Sequence, residues 1–230
     1  MTPEQRSFFR DNGYLFLRGA HTEKNVAPIK AFILSELKRL KIWSSGKMLS
    51  SSLRDIPAFQ QITKLSQLIK HEDLQAHIVT EPLRLAIHLL AEVELTPAQS
   101  AQLLISLPNQ GDWRINGLSW HVDISSPSPA RMPGIQVFTL IDDVKPRGGA
   151  TLALARSHLL ETEERSRRVR EILRSSADIE GDLSEHKLSI VEMSGRAGDV
   201  CLMDMRLLHT PSMNSTKHIR MMATARYFAL

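Results

Sequence analysis

His121 and Asp123 stand two residues apart in the run Ser119-Trp120-His121-Val122-Asp123. On a strand successive side chains alternate faces, so an imidazole and a carboxylate at this spacing point the same way. Read as a strand, the run sets Ser119, His121 and Asp123 on one surface, with Leu118, Trp120, Val122 and Ile124 as an apolar reverse. A third donor, His209, comes 88 positions after His121 and is placed with another strand-like stretch, Asp199 to Asp204. Two histidines and one carboxylate are the donor set that holds non-haem Fe(II) and leaves coordination positions open. The plain alternative is a surface His–Asp pair. Three features weigh against it. Strands between the two histidines allow His209 to return to the same end of a barrel. Arg220 follows eleven residues later, after the turn-rich Pro211-Ser212-Met213-Asn214-Ser215, and its planar fork suits the carboxylate of a dicarboxylic co-substrate. Gly148-Gly149-Ala150-Thr151-Leu152 and Arg156-Ser157-His158 add a glycine turn and a second polar cluster between the ligand strands.

The elements that must position these groups change character along the chain. Thr2-Pro3-Glu4-Gln5 carries a capping hydroxyl and a proline at the first helical position, so a helix starts there and ends at Asn12-Gly13. Tyr14 to Leu17 is a short strand. Val26, Ile29, Ile33, Leu34 and Leu37 recur at helical spacing over residues 23–40. Ser44 to Ser52 is a polar loop carrying Lys47, placed to close over a site. Helices follow over residues 57–69 and 80–92, so residues 1–95 are mainly helical support. After Thr96-Pro97 come strands: Leu103 to Leu107, the run around His121, Ile135 to Ile141, Ala150 to Leu154, Leu188 to Met193, Asp199 to Asp204 and Ile219 to Phe228. Asn116-Gly117 marks a turn, and Ser125 to Pro133, with three prolines, a loop. The charged stretch near 161–174 reads as an exposed helix inserted in the body. Helices followed by many strands predict an α+β protein with an all-β body over 96–230, in one domain spanning 1–230. Antiparallel strands in this number close as a jelly roll with a site in its mouth.

Composition narrows the function classes. At 230 residues, 42% hydrophobic and 23% charged, the chain is long enough for one sizeable core. The net charge of +4 is spread rather than gathered in a patch, which argues against a nucleic-acid partner. One cysteine, Cys201, excludes an intrachain disulfide and a cysteine-based zinc cluster, and it reads as a buried small hydrophobe. The first residues carry no signal-peptide pattern and no apolar run is long enough for a bilayer, so a cytoplasmic protein with no membrane association is expected. Oligomeric state is not legible.

These residues together resemble the phytanoyl-CoA dioxygenase family of Fe(II)/2-oxoglutarate oxygenases over nearly the whole chain. The resemblance lies in Thr2-Pro3-Glu4-Gln5…Phe9…Asn12-Gly13-Tyr14-Leu15, in Trp120-His121-Val122-Asp123, in Asp142-Asp143 through Gly148-Gly149-Ala150-Thr151-Leu152 to Ser157-His158, and in Gly198-Asp199-Val200…His209…Asn214-Ser215…Arg220…Arg226-Tyr227. It implies a double-stranded β-helix, jelly-roll and cupin-like, with N-terminal helices packed on the barrel. It implies that His121, Asp123 and His209 bind Fe(II) and that Arg220 pairs with the far carboxylate of 2-oxoglutarate, with Thr151 also placed to touch that co-substrate. 2-Oxoglutarate and O2 would become succinate and CO2 as an unactivated carbon of a small organic molecule is hydroxylated, with ascorbate an activator in vitro. Asp123 argues against a halogenase, since related halogenases carry a small residue there.

The chain departs from the family at three positions. Phe138 replaces a frequent tryptophan, Arg156 replaces the glycine before Ser-His, and Pro211 stands where relatives place a hydroxyl, a role left to Thr210 or Ser212. Substrate candidates are Trp113, Arg114, Asn116 and Arg131 on flanking loops, with Phe138 and Arg226. Arg226 shares a strand face with Arg220, about 20 Å away at ~3.3 Å per residue, so it serves the other end of the pocket or a structural ion pair. His158, Asp199 and Asp204 read as structural. Two other classes stay open: a non-catalytic jelly-roll sensor, and a nucleic-acid demethylase with the same iron chemistry.

Overall fold

The computed structural model describes residues 1–48, 50, 53, 56–124, 132–160 and 162–229, without the side chains of 97–100. Helix α1 (Pro3–Asn12) opens on the expected capping box, Thr2 accepting from the Gln5 backbone while the Gln5 side chain accepts from Thr2 N–H. Such a cap contributes about 1 kcal/mol. Gly13 ends the helix at φ 78°, and a Cβ there would meet the His158 ring at 2.6 Å. β1 (Tyr14–Leu17) and α2 (Glu23–Arg39) follow; α2 buries Val26, Ile29, Ile33 and Leu37 at the predicted spacing. The stretch expected as a loop begins with a small hairpin, β2 (Trp43–Ser44) and β3 (Lys47–Met48). Next come α3 (Ala58–Leu68), α4 (Leu74–Ile78) and α5 (Glu81–Ala91).

The strands are β4 (Leu95–Ser106), β5 (Gly134–Leu140) and β6 (Thr151–Ala155); then, after helices α6 (Glu163–Ser175) and α7 (Ile179–Glu185), β7 (Ser189–Glu192), β8 (Val200–Asp204), β9 (His209–Pro211) and β10 (Arg220–Ala229). They form two antiparallel sheets, β1-β8-β5-β10-β4 and β7-β6-β9. The larger sheet is buried on both faces, and strand alternation sorts its side chains. Ile135 and Val137 of β5, Val200 and Leu202 of β8, and Met221, Ala223 and Ala225 of β10 join the helices in one core. Phe138, Leu140, Cys201, Met203 and Met222 point the other way, toward the smaller sheet. Burial on both sides is why these strands read as near-continuous apolar runs.

Two expectations are corrected. Residues 113–124 are irregular; among the described residues the only ladder contact there is an isolated bridge between His121 and His209. His209 does not share the strand of Asp199–Asp204 either. The chain leaves the large sheet after β8, turns through residues 205–208, and enters the small sheet as β9, where His209 pairs with Ala153. The charged insert forms α6, but its apolar edge is not idle: Val169, Ile172 and Leu173 are buried with Leu154, Leu188 and Leu208, and Ile115, Trp120 and Val122 pack on this cluster. The apolar reverse of the His121 run therefore exists without a regular strand behind it.

Candidate metal centre

His121, Asp123 and His209 converge, each with one ligand atom within 4.8 Å of the others. His209 Nε2 and Asp123 Oδ2 are 3.8 Å apart. That is less than twice a metal–ligand bond of about 2.1 Å, so one ion can bridge them. The imidazole centroids lie 4.3 Å apart. Both rings are oriented alike: Nδ1 of His121 is 2.9 Å from Ser119 O, and Nδ1 of His209 is 3.0 Å from Leu207 O. A backbone carbonyl only accepts, so each Nδ1 carries the proton and each Nε2 keeps its lone pair for a metal. Burial pushes the His209 pKa down to about 4, against the opposing pull of Asp123. The neutral imidazole that a metal needs is thus the resting form. Asp123 Oδ2 is buried with no hydrogen-bond partner, as a ligand atom facing an ion position would be.

The backbone holds the centre from two directions. His121 and His209 exchange N–H···O bonds of 3.0 and 2.9 Å. Behind His121, Arg170 of α6 donates to the Trp120 carbonyl at 3.2 Å. Behind His209, Ser157 Oγ accepts from Leu208 N–H at 2.8 Å.

A cavity of about 470 Å³ opens beside the imidazoles, lined by Arg220, Thr151, Phe138 and Arg226 among others. Arg220 is 2% exposed. Its NH1 donates to Leu104 O at 3.1 Å, and its Nε has no partner. Burial without an acidic neighbour lowers its pKa to about 9. An unpaired buried cation is costly, and an incoming carboxylate would relieve that cost.

The remaining candidates separate. Arg226 reaches Asp123, its NH2 3.4 Å from Oδ1. Arg114 lines a second cavity of about 370 Å³ that shares Phe59, Ser119 and Pro211 with the first. Trp113 lies under the Arg147 guanidinium, 5.5 Å from its ring centroid, and neither it nor Asn116 lines the metal cavity. Arg131 falls outside the described residues. Pro211 lines both cavities, whereas Thr210 and Ser212 line the second and not the metal cavity that Arg220 lines. Arg156 adopts φ 71°, the left-handed conformation that glycine takes freely. His158, Asp199 and Asp204 are structural: His158 Nε2 bonds Arg10 O, Asp199 pairs with Arg18, and Asp204 with Arg206.

Sequence reading missed Gln102, Gln136 and Thr224, and also Phe59, Ile62 and Thr63 of α3. The first three had a signal. Thr224 follows the two-residue alternation from Arg220, and Gln136 and Gln102 share faces with Phe138 and Leu104. Helix α3 had none, because its place over the mouth is a tertiary matter.

The family model for phytanoyl-CoA dioxygenase (PhyH) matches residues 9–222. The chain belongs to the phytanoyl-CoA dioxygenase family. Among solved structures it is similar to the non-heme alpha ketoglutarate dependent epimerase SnoN from nogalamycin biosynthesis (19% identity, 98% of this chain and 81% of that one, TM-score 0.61). It is similar to EctD from S. alaskensis with 2-oxoglutarate and 5-hydroxyectoine (19%, 100% and 76%, TM-score 0.61). A third is HygX from Streptomyces hygroscopicus with nickel and 2-oxoglutarate bound (16%, 100% and 87%, TM-score 0.60). At these identities the likeness is one of fold: helices with antiparallel sheets. No curated protein matches the chain in sequence. Among the described residues no helix is long and apolar enough to cross a membrane.

Proposed function

We propose that this phytanoyl-CoA dioxygenase family member is an Fe(II)- and 2-oxoglutarate-dependent oxygenase that hydroxylates an unactivated carbon of a small organic molecule. One observation carries the reading: both histidines of a three-donor cluster line one cavity with a buried arginine that has no counter-ion among the described residues. His121, Asp123 and His209 hold the iron. Arg220 takes the far carboxylate of 2-oxoglutarate, with Thr151 beside it. When bound, iron with 2-oxoglutarate and O2 supplies the oxidising power, and the co-substrate leaves as succinate and CO2. The two sheets are the halves of a double-stranded β-helix, and residues 1–230 act as one catalytic domain.

The chain's own work is orientation and exclusion of water. The two Nδ1–H groups, tied to backbone carbonyls, fix the rings so that only Nε2 is presented. Arg220 sits where the local dielectric is low, which strengthens its pull on a carboxylate. Phe59 and Ile62 of α3, with Trp120, line the cavity and limit the approach of bulk water. A cavity of this size fits a small molecule rather than a polymer.

The test is incubation of purified protein with 2-oxoglutarate, Fe(II), ascorbate and a cell extract, following succinate and the extract's mass spectrum. Hydroxylation predicts iron-dependent succinate and a compound heavier by one oxygen. Iron-dependent succinate with an isomerised or dehydrogenated product instead would keep the cofactors and replace the hydroxylase. No succinate with extract, iron and co-substrate present would contradict the oxygenase.

A further inference from the structure

The two carboxylate oxygens of Asp123 have different surroundings. Oδ2 is buried, has no hydrogen-bond partner and lies 3.8 Å from His209 Nε2. Oδ1 faces the guanidinium of Arg226 at 3.4 Å. Asp123 itself sits on an irregular stretch, so no strand ladder fixes its side chain. Among the described residues Arg226 is the one group that donates to it.

Arg226 is delivered by the regular alternation of β10, opposite an irregular stretch of β4. The pairing of β10 with β4 runs in register from Arg220↔Ser106 to Thr224↔Gln102, then shifts on both sides of Arg226. The pairing of β10 with β5 continues unbroken through Arg226↔Gln136. The extra residues lie on β4, where three positions span two of β10, so β10 keeps its alternation and irregularities of this kind recur beside active sites. Arg220 and Arg226 thus line one cavity with different duties. Among the described residues Arg220 has no acidic partner, while Arg226 already has one.

We infer that Arg226 is a positioning residue: it occupies the outer oxygen of Asp123 so that the carboxylate meets the metal through Oδ2 alone. This rests on the reading of the three-donor cluster as a metal centre. A carboxylate free at both oxygens can chelate one ion with both, as it often does for larger cations. That would consume a coordination position which the co-substrates require. A guanidinium on Oδ1 blocks that mode and fixes the plane of the carboxylate. Lysine can supply the charge at this place but not the planar fork.

Anaerobic Mn(II) titrations followed by electron paramagnetic resonance, with Co(II) absorption spectra as a report on coordination number, decide the matter. Arg226→Ala is expected to weaken Mn(II) binding about tenfold or more, the usual effect of removing a partner of a metal ligand. Its Co(II) spectrum is expected to change in intensity. Arg226→Lys should recover part of the affinity without restoring the wild-type spectrum. Arg226→Met, which has no donor, serves if the alanine variant does not fold, with the same expected loss. Wild-type affinity and spectrum in a folded Arg226→Ala or Arg226→Met protein would overturn the inference and leave the metal centre standing. A wild-type protein that binds no Mn(II) or Co(II) would overturn the metal centre and the inference with it.

Discussion

His209 and His121 present the same nitrogen to the same point from opposite circumstances. His209 is 5% exposed, carried on β9 and paired to β6, with its approach pinned by Ser157. His121 is exposed, lies on an irregular stretch, and is tied to the body by one bridge to His209, one arginine on a backbone carbonyl, and the packing of Trp120 and Val122 on the α6–α7 cluster. Half of the centre is therefore built into the sheet, and the other half is a loop held against it. Metal binding must order the second half more than the first. The cost of tightening residues 113–124 is then set against the binding free energy.

Substitutions in the two halves should part company in stability while agreeing in function. His121→Ala, Asp123→Ala and His209→Ala are each expected to abolish Fe(II)-dependent formation of succinate. Only His209→Ala should also lower the melting temperature of the metal-free protein, because only it opens a hole in packed structure; the cost is about 1–3 kcal/mol. A metal-free His121→Ala protein as destabilised as His209→Ala would break the comparison. Next in size is Arg220→Met. Calorimetry should show 2-oxoglutarate affinity falling by about 30-fold or more, from the loss of a buried charge partner. The metal-free variant should melt no lower than wild type and as much as ~1–4 kcal/mol higher, since an unpaired buried cation is gone. A large loss of stability instead would mean that Arg220 is structural.

Arg170→Ala probes the loop half alone. Its bond to the Trp120 carbonyl is exposed, so Mn(II) affinity should fall only a few-fold, about 1 kcal/mol or less. Hydrogen exchange should quicken in residues 113–124 and not in β9. The smallest effect concerns acid. Burial lowers the pKa of His158, beside the Ser157 that pins β9, below its ordinary 6.5. On acidification the unfolded imidazole takes up its proton first while the native one stays neutral. Stability should then fall as pH drops below about 6.5, and this acid slope should flatten in His158→Gln, read from melting temperatures. An unchanged slope would remove His158 from the account.

What the sequence discloses follows how local each cause is. Helix α1 is legible because its capping box and its Gly13 stop lie within one dozen residues. The two-residue alternation of β10 places Arg220, Thr224 and Arg226 toward one cavity. The metal trio is legible because both histidine spacings and Arg220 fit one family pattern. The irregular state of the His121 run is not, because its single bridge depends on a partner 88 residues away. Nor is the sheet change before His209, which rests on how Met205 to Leu208 turn. Short α4 and α7 bury only two residues each and carry little periodicity. The Arg226–Asp123 pair is not legible either, because it depends on where the irregular run carrying Asp123 comes to rest.

The most direct test of the central claim is calorimetric titration of 2-oxoglutarate, without O2, into the protein with and without Mn(II). One saturable site is expected that requires the metal, disappears in Asp123→Ala, and is greatly weakened in Arg220→Met. Absence of binding to the Mn(II)-loaded protein, or equal binding without metal, would contradict it.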